Sequence, residues 1–392
     1  MFKLCLKKLL LLAFSILTVL LSNSHNGVLA TDSRHIDRKF DDVINEKSFV
    51  QSKVLGNCCL VASMATLAGN AELLNKVVDF SNEKFEFNIH KLGKLHRVAV
   101  DADSLPRSDS KLIYSTSAND DVVGPLLEKA LVDLHFGGKY ECCRAVPATT
   151  MLTSLTNGYF EEFHVFSTKL PFRASDVVNH GLKTNSQMVV TLKRPQYKRE
   201  YHCYTLLDIR DGVAKVYNPH GKYHYATESV FYEHLEALYI SYNGSSIFRI
   251  PQVETSVQFN ETWPALKPRG EKNSIDYDLT VDEDETEVLI NLITIHDLKV
   301  EPRIFIYDSK DEVAFVSTFI ETNKSGETHN YSTYSLRATL AGGKYKVMVT
   351  LSDYEGITHC DHCKEFLENG GDHFQFRLAA SKHCSVEKRS KV

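Results

Sequence analysis

The chain has little net charge and little proline, and these shortages exclude several classes of protein. It carries 45 lysines and arginines against 50 acidic residues, a net charge of −5. It therefore lacks the strong basic excess that is typical of nucleic-acid binding. Only 10 prolines and 1 tryptophan occur among 392 residues, of which 43% are hydrophobic, so the composition is that of an ordinary globular protein. The length is sufficient for two or three domains with large cores.

Long hydrophobic runs are absent after the first 30 residues. Near the start, Lys3, Lys7 and Lys8 precede a leucine-rich run, and Val28-Leu29-Ala30 stand before Thr31. A basic end, a short apolar run and small residues in this order predict a secretory signal peptide over residues 1–30. An uncleaved anchor is the alternative, although the run is shorter than the roughly 20 residues that a bilayer requires. We expect a secreted monomer with no transmembrane segment after cleavage.

Secretion would expose the chain to glycosylation and to oxidation. The Asn-x-Ser/Thr sequons all lie in the second half, at Asn243, Asn260, Asn323 and Asn330. Nine cysteines are present, and only Cys5 would leave with the signal peptide. In an oxidising compartment most of the others should be paired. Cys58 and Cys59 should not pair with each other, because adjacent Cα atoms are only about 3.8 Å apart.

Cys58 stands at the head of an apolar segment that reads as a helix. Gly56 permits a tight turn before it, and Gly69 is a typical residue just beyond a helix end. This pattern places Cys58 in the first helical turn, where backbone N–H groups and the helix dipole stabilise a thiolate. The alternative is a small buried hydrophobic side chain, which is the commoner role of cysteine on such a helix.

His202 and Asn218 lie on two strands that are predicted to form a hairpin around Gly212. A two-residue turn would place the two side chains on opposite faces, unless one strand carries a bulge. A three-residue loop with Gly212 at positive φ would instead make His202 and Asn218 diagonal neighbours, and this is the loop that we predict. The alternatives are an ordinary strand histidine and a turn-forming asparagine before Pro219.

The secondary-structure pattern changes along the chain. The predicted core covers residues 31–250, and from about residue 51 helical signals over 58–68, 71–78 and 122–134 alternate with strand signals. Residues 251–270 contain three prolines and are predicted to be a linker. From 271 to 384 only short alternating strands with turn residues between them are predicted, which indicates a β-sandwich. The expected fold class is therefore an α+β core followed by an all-β domain.

Several short stretches occur in an order that is characteristic of one enzyme family. They are Leu55–Leu60, Val98–Pro106, His202–Leu206 and Asn218–Gly221. The first resembles a Gly-Asp-Cys-Trp motif, the second a Val-Asp-Asp-x-Leu-Pro region, the third His-Ala-Tyr-Ser-Val and the last Asn-Pro-Trp-Gly. Together they resemble the calpain family of papain-like cysteine peptidases, in register from about residue 51 to 242.

The resemblance implies a fold and a set of roles. It implies a papain-like two-lobed core and, after it, a C2-like β-sandwich, with no EF-hand pattern. Cys58 would be the nucleophile, His202 the base and Asn218 the group that orients the base, acting on protein or peptide substrates. The Cys58 N–H and the Gln51 side chain would bind the oxyanion. Gln51 lies one residue further from Cys58 than the family spacing, and Ser52 occupies the expected offset.

The chain also departs from the family pattern. Cys59 and His220 stand where the family has tryptophan, so a catalytically inactive binding protein on a peptidase scaffold is an alternative function. A transglutaminase-like acyl transferase is another, although that class typically orients its histidine with aspartate. The acidic calcium-ligand cluster after the Asn-Pro motif is not visible. Asp42 and Glu141 are left as candidate calcium ligands, and no organic cofactor is implied.

Cysteine and histidine recur near the C-terminal end. Cys360 and Cys363 have the Cys-x-x-Cys spacing, and Cys384 follows His383. In a secreted β domain this pattern favours a disulfide from Cys384 to Cys360 or Cys363. A zinc site is the alternative. The acidic run Asp282–Glu285 is interpreted as a solvated turn, with a calcium-binding loop as the alternative.

Overall fold

The computed structural model describes most of the chain after residue 43. The described residues are 44–52, 54–79, 85–109, 111–119, 121–144, 146–164, 173–193, 202–244, 246–262, 273–294, 301–322, 328–332, 335–352 and 373–389. The predicted signal peptide, Asp42, Asn323, Cys360 and Cys363 lie outside the described residues.

The helices all lie in the first part of the described chain. They are α1 (Cys58–Ala65), α2 (Ala71–Val77), α3 (Val123–Phe136), α4 (Ala148–Thr156), α5 (Ala174–Lys183) and α6 (Glu228–His234), with short 3-10 turns at Glu46–Ser48, Thr66–Gly69, Ala102–Ser104 and Tyr140–Cys143. The predicted helices beginning at 58, 71 and 122 are confirmed to within a few residues. Helix α3 is followed by Gly137 and α4 by Asn157, both in the left-handed conformation that commonly terminates helices.

The strands of this first part form antiparallel sheets. They are β1 (Val78–Asp79), β2 (Phe85–Lys91), β3 (Lys94–Val100), β4 (Arg107–Ser108), β5 (Lys111–Leu112), β6 (Phe160–His164), β7 (Gln187–Leu192), β8 (Cys203–Arg210), β9 (Val213–Asn218), β10 (Lys222–Thr227) and β11 (Leu235–Ser241). Strands β1–β3 form one sheet, β4 and β5 pair, and the remaining six form a sheet in the order β10-β9-β8-β7-β11-β6.

Helix α1 packs directly against the six-stranded sheet. The hydroxyl of Thr205 on β8 donates a hydrogen bond of 2.7 Å to the carbonyl oxygen of Ala62 on α1. Between them lies a small apolar cluster that includes Ala148, Leu152 and Val189. Small side chains let the helix approach the sheet closely. The head of α1 is therefore held beside the start of β8.

The remaining strands form one four-stranded and one five-stranded antiparallel sheet and a separate hairpin. They are β12 (Thr255–Thr262), β13 (Asn273–Val281), β14 (Thr286–Thr294), β15 (Glu301–Tyr307), β16 (Val313–Val316), β17 (Thr318–Thr322), β18 (Thr328–Ser332), β19 (Ser335–Leu340), β20 (Gly343–Ser352), β21 (His373–Ala380) and β22 (Cys384–Lys388). One sheet has the order β12-β21-β14-β19 and the other β16-β15-β20-β13-β22, while β17 pairs with β18.

The four-stranded and the five-stranded sheet share one hydrophobic core. Alternate residues of β13, including Ile275, Tyr277 and Leu279, face alternate residues of β14, including Val288 and Ile290. This period of two is what strands with one inward face require. Part of the predicted linker differs from expectation, because residues 255–262 form β12 and pair with β21 along the whole strand. Apolar and polar residues alternate over 255–262, and this strand pattern decides the local structure although prolines lie on either side.

The other face of the four-stranded sheet packs against the helical part of the chain. Leu289 belongs to the core of the six-stranded sheet, on the opposite side of β14 from Val288. The Asn291 side chain accepts a hydrogen bond from the Phe160 N–H (2.9 Å) and donates one to the Phe160 carbonyl (2.8 Å). Nearby, Arg337 and Glu161 form a buried ion pair. Strand β14 is therefore buried on both faces.

Among the described residues, no helix has both the length and the apolar character needed to cross a membrane.

Candidate active site

The turn before Cys58 is fixed by a buried carboxylate on α3. Asn57 precedes the helix but does not cap it. Its side-chain amide instead donates to Glu128, which also accepts hydrogen bonds from the N–H (2.9 Å) and hydroxyl (2.8 Å) of Ser115. The Asn57 side chain therefore does not occupy the first-turn N–H groups of α1. N–H groups at a helix start favour an anion there.

Glu128 is almost fully buried, and this changes its acidity. Burial raises the pKa of its carboxyl group, while the hydrogen bonds from Ser115 and Asn57 act in the opposite direction. The group is 1% exposed. Since it lies in the middle of the apolar face of α3, it was visible in the sequence as a carboxylate among leucines. We did not predict its role.

The hairpin that carries His202 and Asn218 differs from the predicted one. The loop is the two-residue turn Asp211–Gly212, both at positive φ (51° and 72°), and not the three-residue loop that we expected. A bulge in β8 between Leu206 and Asp208 supplies the extra residue. Beyond it Thr205 pairs with Tyr217. The extra residue puts the side chains of His202 and Asn218 on the same face of the hairpin. The expected diagonal arrangement therefore arises from a bulge and not from a longer loop.

His202 and Asn218 are in direct contact. The His202 Nε2 atom lies 2.9 Å from Asn218 Oδ1. The same oxygen accepts a hydrogen bond of 3.0 Å from the backbone N–H of His220, which can only donate. Oδ1 is therefore the acceptor, and Nε2 must carry the proton. In a neutral imidazole the lone pair then belongs to Nδ1.

Two aromatic rings enclose the His202 imidazole. The ring of His220 stacks on it at 5.0 Å between centroids and 10° between planes. The ring of Tyr204 meets it edge-on at 4.8 Å. His202 is 6% exposed as a result. His220 stands where the resemblance has tryptophan, and its flat ring covers the same imidazole. The Asn218 Nδ2 atom lies 3.2 Å from Nε2 of the exposed His224.

Three sulfur atoms meet at the head of α1. Cys59 is disulfide-bonded to Cys203, with their Cα atoms 4.9 Å apart and a sequence separation of 144. Each of these cysteines directly follows a predicted catalytic residue, Cys58 or His202. The Sγ atoms of Cys58, Cys59 and Cys203 all lie within 4.8 Å of one another. Cys58 is half-buried and is not part of a disulfide. The sequence excluded a 58–59 bond but did not predict this pairing.

Gln51 lies close to the Asn218 turn. Its N–H donates to the Pro219 carbonyl at 2.7 Å. Its side-chain Nε2 donates to the Leu55 carbonyl at 3.0 Å, and its buried Oε1 makes no hydrogen bond. Ser52, at the family offset, donates instead to the Ile113 carbonyl at 2.6 Å. The Gln51 amide donor is therefore engaged with its own loop.

The other predicted site residues are spread over the surface and the second domain. Glu141 is exposed in a 3-10 turn, and among the described residues the only group of three His, Cys, Asp or Glu ligands is that of Cys58, Cys59 and Cys203. Asn243 and Asn260 are exposed, while Asn330 lies on β18. Cys384 is a buried thiol whose predicted partners lie outside the described residues.

Comparison with known proteins relates just under half of the chain to one family. Residues 34–228 match the family described as calpain family cysteine protease. This segment is therefore similar to the calpain family. Human calpain-12 is 30% identical over 156 residues, and calpain-B of Drosophila melanogaster is 33% identical over 125 residues. Calpain clp-1 of Caenorhabditis elegans is 35% identical over 115 residues.

The calpain match covers only parts of the chains compared. The alignments cover 37% of this chain and 21% of human calpain-12, and 30% of this chain and 13% of calpain-B. The chain thus spans about a fifth or less of these relatives. A solved structure of Ly7917 with the hydrolyzing product of MDP shares 12% identity over 89% of this chain and 96% of that chain, with a TM-score of 0.19. That score is too low to indicate a common fold.

Proposed function

We propose that the chain is a cysteine endopeptidase in which Cys58, His202 and Asn218 perform the chemistry. The observation that carries this proposal is the bond between His202 Nε2 and Asn218 Oδ1, on a segment that matches a family of cysteine proteases. The substrates would be extended protein segments, because peptide main chain is the group that such a thiolate attacks.

In the proposed mechanism His202 acts through Nδ1. With Nε2–H held by Asn218, the lone pair on Nδ1 takes the Cys58 proton, and Cys58 attacks the peptide carbonyl. The imidazolium then returns the proton to the leaving amine, and water hydrolyses the acyl-enzyme. A positive end of α1 beside Cys58 would favour the thiolate. Asn218 would thus keep the imidazole in the productive tautomer.

The oxyanion site is the least complete part of the proposed centre. The Cys58 N–H at the start of α1 is one donor that would stabilise the tetrahedral intermediate. The Gln51 amide is the second candidate, and it would have to leave the Leu55 carbonyl to serve. One such donor is typically worth about 3–4 kcal/mol of transition-state stabilisation.

The engagement of Gln51 favours a second candidate function. If the amide stays on the Leu55 carbonyl, the chain would be a catalytically weak or inactive member of the family that binds protein segments. The presence of the His202–Asn218 bond argues for the enzyme. Both functions use the same site, and they differ in whether Cys58 reacts.

An epoxide inhibitor that alkylates active thiolates separates the two functions. We expect one equivalent to label the folded full-length protein at Cys58, together with hydrolysis of an unfolded protein substrate. The Cys58→Ala variant should lose both, by roughly 10⁴-fold or more for hydrolysis. Cys384→Ala removes a thiol from the other domain and is the matched control. A folded protein that takes up no epoxide and cleaves nothing contradicts the enzyme proposal.

The finer expectations about fold, calcium and location belong to this proposal. A papain-like core is supported by the calpain-family segment, and a C2-like domain by the two packed sheets that follow it. Passage through the secretory pathway is supported by the Cys59–Cys203 disulfide, since such bonds persist in oxidising compartments. Mass spectrometry of the protein from a secreting cell culture would test the cleavage after residue 30. Calcium dependence would be tested by hydrolysis with and without a chelator.

A further inference from the structure

The sulfur cluster at the head of α1 contains one more sulfur than a disulfide needs. Cys58, Cys59 and Cys203 place their Sγ atoms within 4.8 Å of one another. Two are joined as the Cys59–Cys203 disulfide, and the third belongs to Cys58. A thiolate beside a disulfide is the reactant pair of thiol–disulfide exchange. No external oxidant or reductant is needed for such a step.

We propose that Cys58, Cys59 and Cys203 form a disulfide-exchange site that reversibly masks the nucleophile. The Cys58 thiolate attacks Cys203 Sγ, the bond between Cys203 and Cys59 breaks, and its electron pair leaves on Cys59 Sγ. The proton given up by Cys58 is taken up by the Cys59 thiolate. One disulfide and one thiol are present before and after, so the step is balanced. The product has a Cys58–Cys203 bond and a Cys59 thiol.

The geometry selects which sulfur is attacked. Attack on Cys59 would create a bond between neighbours in sequence, whose Cα atoms are about 3.8 Å apart and below the usual range for a disulfide. Attack on Cys203 avoids this strained ring. It also releases Cys59 in the first turn of α1, where backbone N–H groups stabilise a leaving thiolate. The exchange therefore leads to the Cys58–Cys203 isomer.

The exchange would alter activity without unfolding the domain. The contact between α1 and β8 is also made by the Thr205–Ala62 hydrogen bond and by the apolar cluster around Ala148. The helix stays in place whichever cysteine of α1 is bonded to Cys203. The change falls on Cys58 alone, which is a thiol in one isomer and blocked in the other. This proposal relies on the proposed function only for the consequence of that blocking.

Locating the thiol in the full-length protein tests the exchange directly. The protein is kept at mildly alkaline pH without reductant, quenched with acid, denatured and labelled with a maleimide. It is then digested, and fragmentation between residues 58 and 59 assigns the label. We expect label on Cys58 in one fraction of molecules and on Cys59 in another, with Cys203 in a disulfide in both. The Cys59-labelled fraction should exceed about one molecule in a hundred.

The Cys58→Ala variant is the matched control, because it keeps the disulfide and removes the attacking thiol. Label on Cys59 should disappear in it. A Cys59-labelled fraction below one in a hundred in the wild type overturns the proposal, and so does equal labelling of Cys59 in Cys58→Ala. In the Cys59→Ala/Cys203→Ala variant, one epoxide equivalent should label Cys58 in a single phase. In the wild type the first phase should be smaller by the exchanged fraction, and the remaining label should follow as the exchange returns Cys58 to the thiol. A folded double variant that takes up no epoxide contradicts the proposed function, whereas the label position still judges the exchange.

Discussion

Two contact regions within the described chain, the first join and the second join, rely on different chemistry. The first joins α1 to β8 through small apolar side chains, one hydrogen bond and the Cys59–Cys203 disulfide. The second joins the six-stranded sheet to the four-stranded sheet through charged and amide groups that lie beside the apolar Leu289. There Arg337 donates to both Glu161 oxygens at 2.8 and 2.6 Å, and both side chains are nearly inaccessible, at 9% and 3% exposed.

The comparison indicates what each join is suited to. Apolar contacts and a covalent bond do not depend on charge, so the join at the proposed catalytic centre is insensitive to salt. A buried ion pair is specific in geometry, but it leaves an uncompensated charge when one partner is lost. Arg377 adds a second buried cation at the same join, where it donates to the Asn157 side chain and carbonyl. The second join is therefore more vulnerable to a single substitution.

Removing one partner of the buried pair should have the largest effect on stability. Arg337→Met leaves Glu161 buried with only the Tyr242 hydroxyl as donor, and we expect a loss of about 3–5 kcal/mol in the free energy of unfolding. Urea denaturation measures it. The control is Lys76→Met, which breaks an exposed pair with Glu72 and should change nothing measurable. Equal losses in the two variants would remove the contrast between buried and exposed pairs.

The next effect concerns catalysis at the first join. Asn218→Ala removes the acceptor that fixes the proton on His202 Nε2, so kcat/KM for a protein substrate should fall by roughly 10²-fold. His224→Ala removes the contact to the amide nitrogen and an edge contact with the Tyr204 ring but leaves Oδ1 in place, and it should have a much smaller effect. Steady-state kinetics of the two variants give the comparison. A His224 variant as impaired as the Asn218 variant would mean that the amide nitrogen, and not Oδ1, matters.

The free energy of unfolding should depend on pH through Glu128, which is buried near the first join. Because burial raises its pKa above the ordinary value of 4.5, the native state holds a proton that the unfolded chain loses. The stability from this group should therefore fall as the pH rises from 4.5 towards the raised pKa. Glu128→Gln cannot titrate, so the stability of wild type relative to this variant should decline over that interval. Denaturation at a series of pH values measures the difference, and a rising difference would contradict the assigned direction.

The smallest effect is expected away from both joins. Asn243 is exposed, so Asn243→Gln should leave the unfolding free energy unchanged within about 0.5 kcal/mol. If the sequon is used, the same change should lower the mass of secreted protein by one glycan. Ser245→Ala destroys the sequon and keeps the asparagine, and it should have the same effect on mass. A glycan that persists in both variants would assign it to another sequon.

Local patterns in the sequence were sufficient for much of the fold. The apolar run after Gly56 predicted α1, and alternating residues predicted strands such as β14 and β20. They failed where several rules competed. Residues 255–262 lie between prolines, yet they form an edge strand because their alternate side chains find a sheet to cover. The bulge in β8 was equally hidden, since a two-residue turn plus a bulge and a three-residue loop give the same facing of His202 and Asn218.

By itself the sequence determined which residues can react, because the residue types and their order do not depend on the fold. It placed Cys58 at a helix start and His202 and Asn218 on neighbouring strands. Only the tertiary structure decided that Cys59 bonds to Cys203 and that Glu128 supports Asn57. The physical reason is distance along the chain, because the two bonded cysteines are 144 positions apart in sequence. No periodicity within a helix or strand carries information about contacts between such remote segments.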